Sequence, residues 1–312
     1  MARNKEPVVE DSFSKINRVK PATNALFIVI LTLFAVTTVL PVILVFSISI
    51  TTPESLTANG FQLFPSEISF TSYQSLFKTG SQLLDSYKIT VIVAVVSTFL
   101  GVMMMAMYAF VLAQKRFSCK KFYTFIPFFT MLFSGGLVPS YIINVNVLHL
   151  YDTIWILILT SLVSPFNIVV LRTFINSTIP EEMMDAAQID GANEFTVFNR
   201  IVLPLGVAGL ATIALFLFVG KWNEWFTAML YIENPKLIPV QTMLERIQKK
   251  IDFIRNNSSY ANTPDGMTLL KSMPTEQTRM AILIISIFPI LCAYPFFQKY
   301  FIHGLTVGSV KG

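Results

Sequence analysis

Few residues in this chain are of a type and spacing that could carry chemistry. The two histidines, His149 and His303, cannot by themselves complete the four-ligand set of a structural zinc site. Cys119 lies in a basic stretch and Cys292 in an apolar one, so neither a disulfide nor a metal-ligand spacing is expected. Gly220-Lys221 is not a phosphate-binding loop: Trp222 follows the lysine, and Leu215 stands where the first glycine would be. Neither a His-Glu-x-x-His pattern nor a Gly-x-Ser-x-Gly elbow occurs. The chain therefore reads as no enzyme, with no bound metal or cofactor of its own.

Two groups of residues remain. The first is the run Lys221-Trp222-Asn223-Glu224-Trp225, which interrupts a long apolar stretch. A charge at the centre of a membrane helix costs about 2.5–3.5 kcal/mol on insertion scales. Such residues are expected to face a partner or a wet cavity. Lys221 and Glu224 have the spacing of a helical pair. Trp222 and Trp225 have the same spacing, and their indoles could stack on a sugar ring. The run is a candidate translocation surface; the plainer alternative is an interfacial aromatic belt with a tolerated ion pair.

The second group is the stretch Ile179-Pro180-Glu181-Glu182-Met183-Met184-Asp185-Ala186-Ala187-Gln188-Ile189-Asp190-Gly191-Ala192. Thr178 is placed to cap a helix, with Glu181 completing a capping box and Pro180 in the first turn. Glu181, Glu182 and Asp185 lie near the positive end of its dipole. Met183, Met184 and Ala187 form an apolar flank. Gly191 suits a left-handed turn that ends the helix, and Asn193 can cap a second one. The expectation is a helical hairpin over about 178–199. Ala186 and Ala187 allow close approach to a groove, and Asp185 offers a charge-assisted contact to a basic partner. On pattern alone, an ordinary surface hairpin linking two spans is the favoured reading.

The elements that must position these groups are membrane helices. The chain of 312 residues is 54% hydrophobic and only 13% charged, about half the charge of a soluble domain. Apolar runs at 24–50, 87–113, 122–143, 153–175, 201–231 and 280–303 are long enough to span a bilayer. Backbone groups in lipid must be paired within their own segment, so each is read as a helix. Gly135, Gly136 and Pro139 threaten the end of the third, which leaves a re-entrant segment open there. The fold class is all-α integral membrane, with six transmembrane helices.

The net charge of +5 does not point to nucleic acid, because the basic residues sit between the apolar runs. Arg3, Lys5, Lys15, Arg18 and Lys20 precede the first run, and Lys115, Arg116, Lys120 and Lys121 follow the second. The loop 144–152 carries no Lys or Arg. The positive-inside rule puts both termini in the cytoplasm of a multi-pass cell-membrane protein. The loop 233–279 conflicts with this: it holds Lys236, Arg246, Lys249, Lys250, Arg255, Lys271 and Arg279, yet six spans place it outside. Within it, Val240, Met243, Leu244, Ile247, Ile251 and Ile254 recur at helical spacing, as on a lipid surface or under an external partner. The loop 51–86 reads as irregular. The expected division is a cytoplasmic segment 1–23, a membrane domain 24–303 and a cytoplasmic tail 304–312. The first apolar run is too long for a cleavable signal peptide and follows a polar stretch with Glu6, Glu10 and Asp11.

The run Ile179 to Ala192, followed by Phe198, Arg200, Ile201, Leu203, Pro204 and Leu205, closely resembles the "EAA" coupling motif of ABC-importer permeases, with Asp185 where Glu is usual. The ending Gly304 to Gly312 is similar to the tail of maltose-type permeases. Phe133-Ser134-Gly135-Gly136-Leu137-Val138-Pro139 and Trp222-Asn223-Glu224-Trp225 resemble a branch often assigned to complex oligosaccharides, usually with a lipid-anchored binding protein. The resemblance implies a type I importer permease forming half of a sugar pathway. Its ATPase-coupling residues would be Glu182, Asp185, Ala186, Ala187, Asp190, Gly191 and Ala192. Trp222, Asn223, Glu224 and Trp225 would line the path, and Gly308 and Lys311 would approach the ATPase dimer. It also implies a second homologous permease, two ATP-binding subunits carrying ATP and Mg, and an external sugar-binding protein. An importer of a non-sugar solute remains open. A secondary transporter would need ion-coupling residues near the midplane, for which Lys221 and Glu224 are thin support.

Overall fold

The computed structural model describes residues 21–79, 81–257, 260, 263–272 and 274–308. The expected N-terminal segment is thus described only from residue 21. Its basic residues lie outside the described part, as does Lys311 of the expected tail.

Apolar sequence with no competing strand pattern makes helices almost throughout. In chain order these are α1 (Pro21–Ser49), α2 (Pro53–Asn59), α3 (Thr71–Thr79), α4 (Ser81–Ala113), α5 (Lys120–Leu132), α6 (Leu137–Val147) and α7 (Ile154–Leu159). They continue as α8 (Pro165–Thr178), α9 (Glu181–Ile189), α10 (Glu194–Leu205), α11 (Val207–Asn223), α12 (Phe226–Tyr231), α13 (Val240–Asn256), α14 (Pro264–Ser272) and α15 (Glu276–Gly308). Among the described residues the only β pairing is an isolated bridge between Thr51 and Ile68.

Three of the helices, α1, α4 and α15, are long and apolar enough to cross a bilayer unbroken. The third expected span is the bent pair α5 and α6, which turn by 114° at the Gly135-Gly136 step. The fourth is not one helix: it stops at Leu159, passes through an irregular stretch at 160–164, and resumes at Pro165 with Ser164 as cap. The fifth is broken twice, by an 80° bend between α10 and α11 and again at Glu224-Trp225. The loop 51–86, expected to be irregular, contains α2 and α3. The start of α2 is explained by Thr52, whose hydroxyl accepts from the Ser55 N–H ahead of Pro53 in the first turn.

Helix α4 is the spine, with a buried apolar cluster at each end. At its C-terminal end Met105, Ala109, Phe110 and Leu112 pack with Ile168, Leu171 and Ile175 of α8 and with Val197, Phe198 and Val202 of α10. Towards its N-terminal end Val93 packs with Ile156, Leu157 and Ile158 of α7 and with Ala228 and Tyr231 of α12. The residues 154–178 therefore run the length of α4 despite their break. At a rise of about 1.5 Å per residue, Thr90 to Gln114 covers roughly 35 Å, comparable to a hydrocarbon core of about 30 Å.

This spine sorts the loops. The Val240 N–H donates to the Thr90 hydroxyl (2.9 Å), and the Asp152 carboxylate accepts from the N–H groups of Glu233 and Asn234. The loop 144–152 and helix α13 thus share one end. The basic segment Gln114–Arg116 lies at the other end, against α9. Arg246, Lys249 and Lys250 of α13 consequently lie towards the opposite end of α4 from Lys115 and Arg116.

Candidate functional site

The stretch 178–199 forms a hairpin, but its first cap differs from expectation. Thr178 is the last residue of α8, and Pro180 occupies the cap position of α9 with no side-chain hydrogen bond. The capping box does not form because α8 runs through the threonine. The turn is as expected. Gly191 has φ of 87°, the Ala192 N–H donates to the Ala187 carbonyl (2.9 Å), and the Gly191 N–H donates to the Gln188 carbonyl (3.0 Å). These are the paired bonds of a Schellman motif. Asn193 then caps α10: its Oδ1 accepts from the Thr196 N–H at 2.8 Å.

The seven coupling candidates divide by direction. Glu182, Ala186, Asp190 and Gly191 are exposed, together with Ile189 (87% exposed) and Phe195 (70%). Ala187 and Ala192, with Met184, instead pack on the cluster at the end of α4. Met183 is exposed, so the expected apolar flank is split. Asp185 is engaged within its own chain: Arg116 lies 3.2 Å away, and the same guanidinium donates to the Gln188 side chain at 3.0 Å. Lys115 pairs with Glu181, and Gln114 donates to Glu194. The Glu181 hydrogen bond and charge hold the Lys115 ammonium above the usual lysine range. A pair this exposed is screened by solvent and contributes little to stability, so the group orients the hairpin more than it stabilises it. Sequence reading assigned Lys115 and Arg116 to topology alone, since a contact across this distance in sequence leaves no local pattern.

The run 221–225 is a junction. Lys221 is buried and donates to the carbonyls of Leu157 (2.8 Å), Ile158 (3.3 Å) and Thr160, not to Glu224. The expected Lys221–Glu224 pair does not form, because the helix ends at Asn223 and Glu224 turns to cap α12. The Glu224 carboxylate accepts from the N–H groups of Phe226 and Thr227 and from the Thr227 hydroxyl. Trp222 is 1% exposed, donates to the Ser286 carbonyl at 3.0 Å and meets Tyr87 edge-on. The two indoles therefore do not share a face. Trp225 is half-buried, with the Lys249 ammonium 5.1 Å from its ring centroid, and its carbonyl accepts from Thr242. Asn223 is exposed beside Gln241. Of the expected path residues, Asn223 and Trp225 present surface, Glu224 is tied up as a cap, and Trp222 is enclosed. Gly308 ends α15, and Lys311 lies outside the described residues.

Residues 110–307 match the binding-protein-dependent transport system inner membrane component family, a region that contains the hairpin, the break at 160–164 and the junction at 221–225. The chain belongs to this family. Protein LplC of Bacillus subtilis is 35% identical over 88% of this chain and 90% of its own length. The polygalacturonan/rhamnogalacturonan transport system permease protein YtcP of the same organism is 36% identical over 90% and 96%. A solved bacterial ABC transporter involved in the import of the acidic polysaccharide alginate contains a chain with TM-score 0.77 and 28% identity, covering 90% of this chain and 96% of that one. Family membership makes the chain a membrane permease component that works with other ABC components and a substrate-binding protein.

Proposed function

We propose that this chain is one of two membrane halves of an ATP-driven importer of oligosaccharides, with the hairpin Glu181–Val197 in the cytosol. A second homologous permease completes the pathway, and two ATP-binding subunits hold ATP and Mg. A lipid-anchored binding protein delivers the sugar from outside. The observation that carries this reading is the hairpin: an apolar tip of Ile189 and Phe195 displayed at the end of the bundle, on a turn fixed by Gly191. A partner that binds this tip differently in its two nucleotide states can bias the membrane helices between inward- and outward-open forms; equal binding would shift nothing. The relatives named for polygalacturonan and alginate favour an acidic oligosaccharide as the first substrate to try.

Two measurements test the reading. Proteoliposomes holding the full complex should take up labelled oligogalacturonate only with internal ATP. An Ile189→Cys variant, made after replacing the exposed Cys119 and Cys292 by serine, should react with an impermeant maleimide from the cytosolic side alone. Labelling from outside, or transport by this polypeptide without its ATPases, refutes the assignment.

A further inference from the structure

The transport reading assigns no work to Lys221, yet this buried lysine is held by three backbone carbonyls. A lysine ammonium has three N–H donors, and here three carbonyls receive them, those of Leu157, Ile158 and Thr160. These carbonyls belong to the end of α7, where the fourth segment breaks and its last C=O groups lose their helical partners. The Ser97 hydroxyl of α4 adds a fourth bond, to the Ile158 carbonyl at 3.2 Å. Gly101 of α4 lets the break lie against the helix: a Cβ there would stand 2.5 Å from the Leu162 carbonyl oxygen and 2.5 Å from Leu217 Cδ2. On its other side Lys221 is followed by Trp222, bonded to α15, and by the second break at Glu224. Irregular backbone at membrane depth is tolerated only where protein satisfies it. Lys221 does so with a side chain from the neighbouring broken segment.

We propose that Lys221 is a positioning residue that clamps the break at 160–164 to the break at 224–225, so that the outer parts of the fourth and fifth segments move as one body during transport. The proposal rests on the transport reading. Motion applied at the hairpin enters through α8, which precedes it, and through α10, whose first turn belongs to it. Both lines of helix are discontinuous before they reach the opposite end, where a free break would absorb the motion as local bending. The clamp removes that freedom by tying the two discontinuities to each other.

The test uses the assembled complex with spin labels on Val163→Cys and Phe226→Cys, both exposed positions beside the two breaks, in a chain with Cys119 and Cys292 replaced by serine. With Lys221 present, one narrow label–label distance is expected, unchanged between the nucleotide-free and vanadate-trapped states. Lys221→Met leaves three carbonyls without the lysine donor; it should broaden or shift that distance between states, and should raise the ATP hydrolysed per oligogalacturonate imported. Lys221→Arg should restore both. Gly101→Ala keeps the lysine but pushes on the break from α4, and should behave as Lys221→Met does; it carries the test if the methionine variant does not assemble. A narrow, unchanged distance in Lys221→Met or Gly101→Ala overturns the proposal, as does a distance that changes between states in the parent chain. Absence of ATP-driven uptake by the labelled parent complex would instead bring down the transport reading, and the proposal with it.

Discussion

Replacing Gly191 by alanine isolates the backbone of the hairpin turn from its contacts. A Cβ at this position meets nothing within 4 Å, so the substitution crowds no neighbour inside the chain. What it does is force an L-residue to hold φ near 87°. That conformation costs roughly 1–2 kcal/mol for a residue with a side chain, a factor of about 5–30 in the equilibrium between the closed and opened turn. The amides that report this are Gly191 and Ala192, whose N–H groups close the Schellman motif onto Gln188 and Ala187. Hydrogen exchange at these two amides should quicken by about 5–30-fold in Gly191→Ala, and by less in Gly191→Asn, since asparagine tolerates the left-handed region better. Co-purification of the ATP-binding subunits should weaken in the same order. Exchange and co-purification equal to the parent in the alanine variant would show that the turn is not held by its glycine, and the account of the hairpin would be wrong.

Three further outcomes are expected. Reversing Arg116→Asp or Asp185→Arg singly should loosen the hairpin by about 0.2–1 kcal/mol each, with partial recovery in the double variant; a thermal-unfolding double-mutant cycle measures the coupling, and additivity would deny the pair. Trp222→Ala should destabilise by about 3–5 kcal/mol, as for other buried aromatics, with Trp222→Phe milder; the detergent-solubilised melting temperature is the readout. The Tyr151 hydroxyl donates to Glu233 at 2.7 Å, and that bond, with lesser burial and nearby negative charge, pushes its pKa up to about 12. Because the folded value is raised, the contribution to stability is complete below the ordinary tyrosine pKa of about 10 and is lost as pH climbs through about 12. An ultraviolet titration should therefore lose one late tyrosinate step in Tyr151→Phe.

Much of this protein was legible along the chain. The apolar runs located α1, α4 and α15, the Gly135-Gly136 step marked the bend of the third segment, and Gly191 and Asn193 marked the turn and second cap of the hairpin. These features are local: periodicity, a left-handed residue and a capping side chain act within a few residues of themselves. The failures were also local rules, overruled from a distance. Thr178 has the sequence of a cap but ends α8. Lys221 and Glu224 have the spacing of a pair, yet one reaches a carbonyl 64 positions earlier and the other caps the next helix.

Sequence alone determined where the long apolar helices α1, α4 and α15 lie and where the hairpin turns, because the run of apolar side chains and the sterics of one glycine do not depend on what lies beyond them. Only the tertiary structure decided that two of the other apolar runs break, and that a lysine from one satisfies the carbonyls freed in the other. An unpaired polar group in a low-dielectric interior takes whichever partner the packing brings within reach, and that partner is not written beside it in the chain.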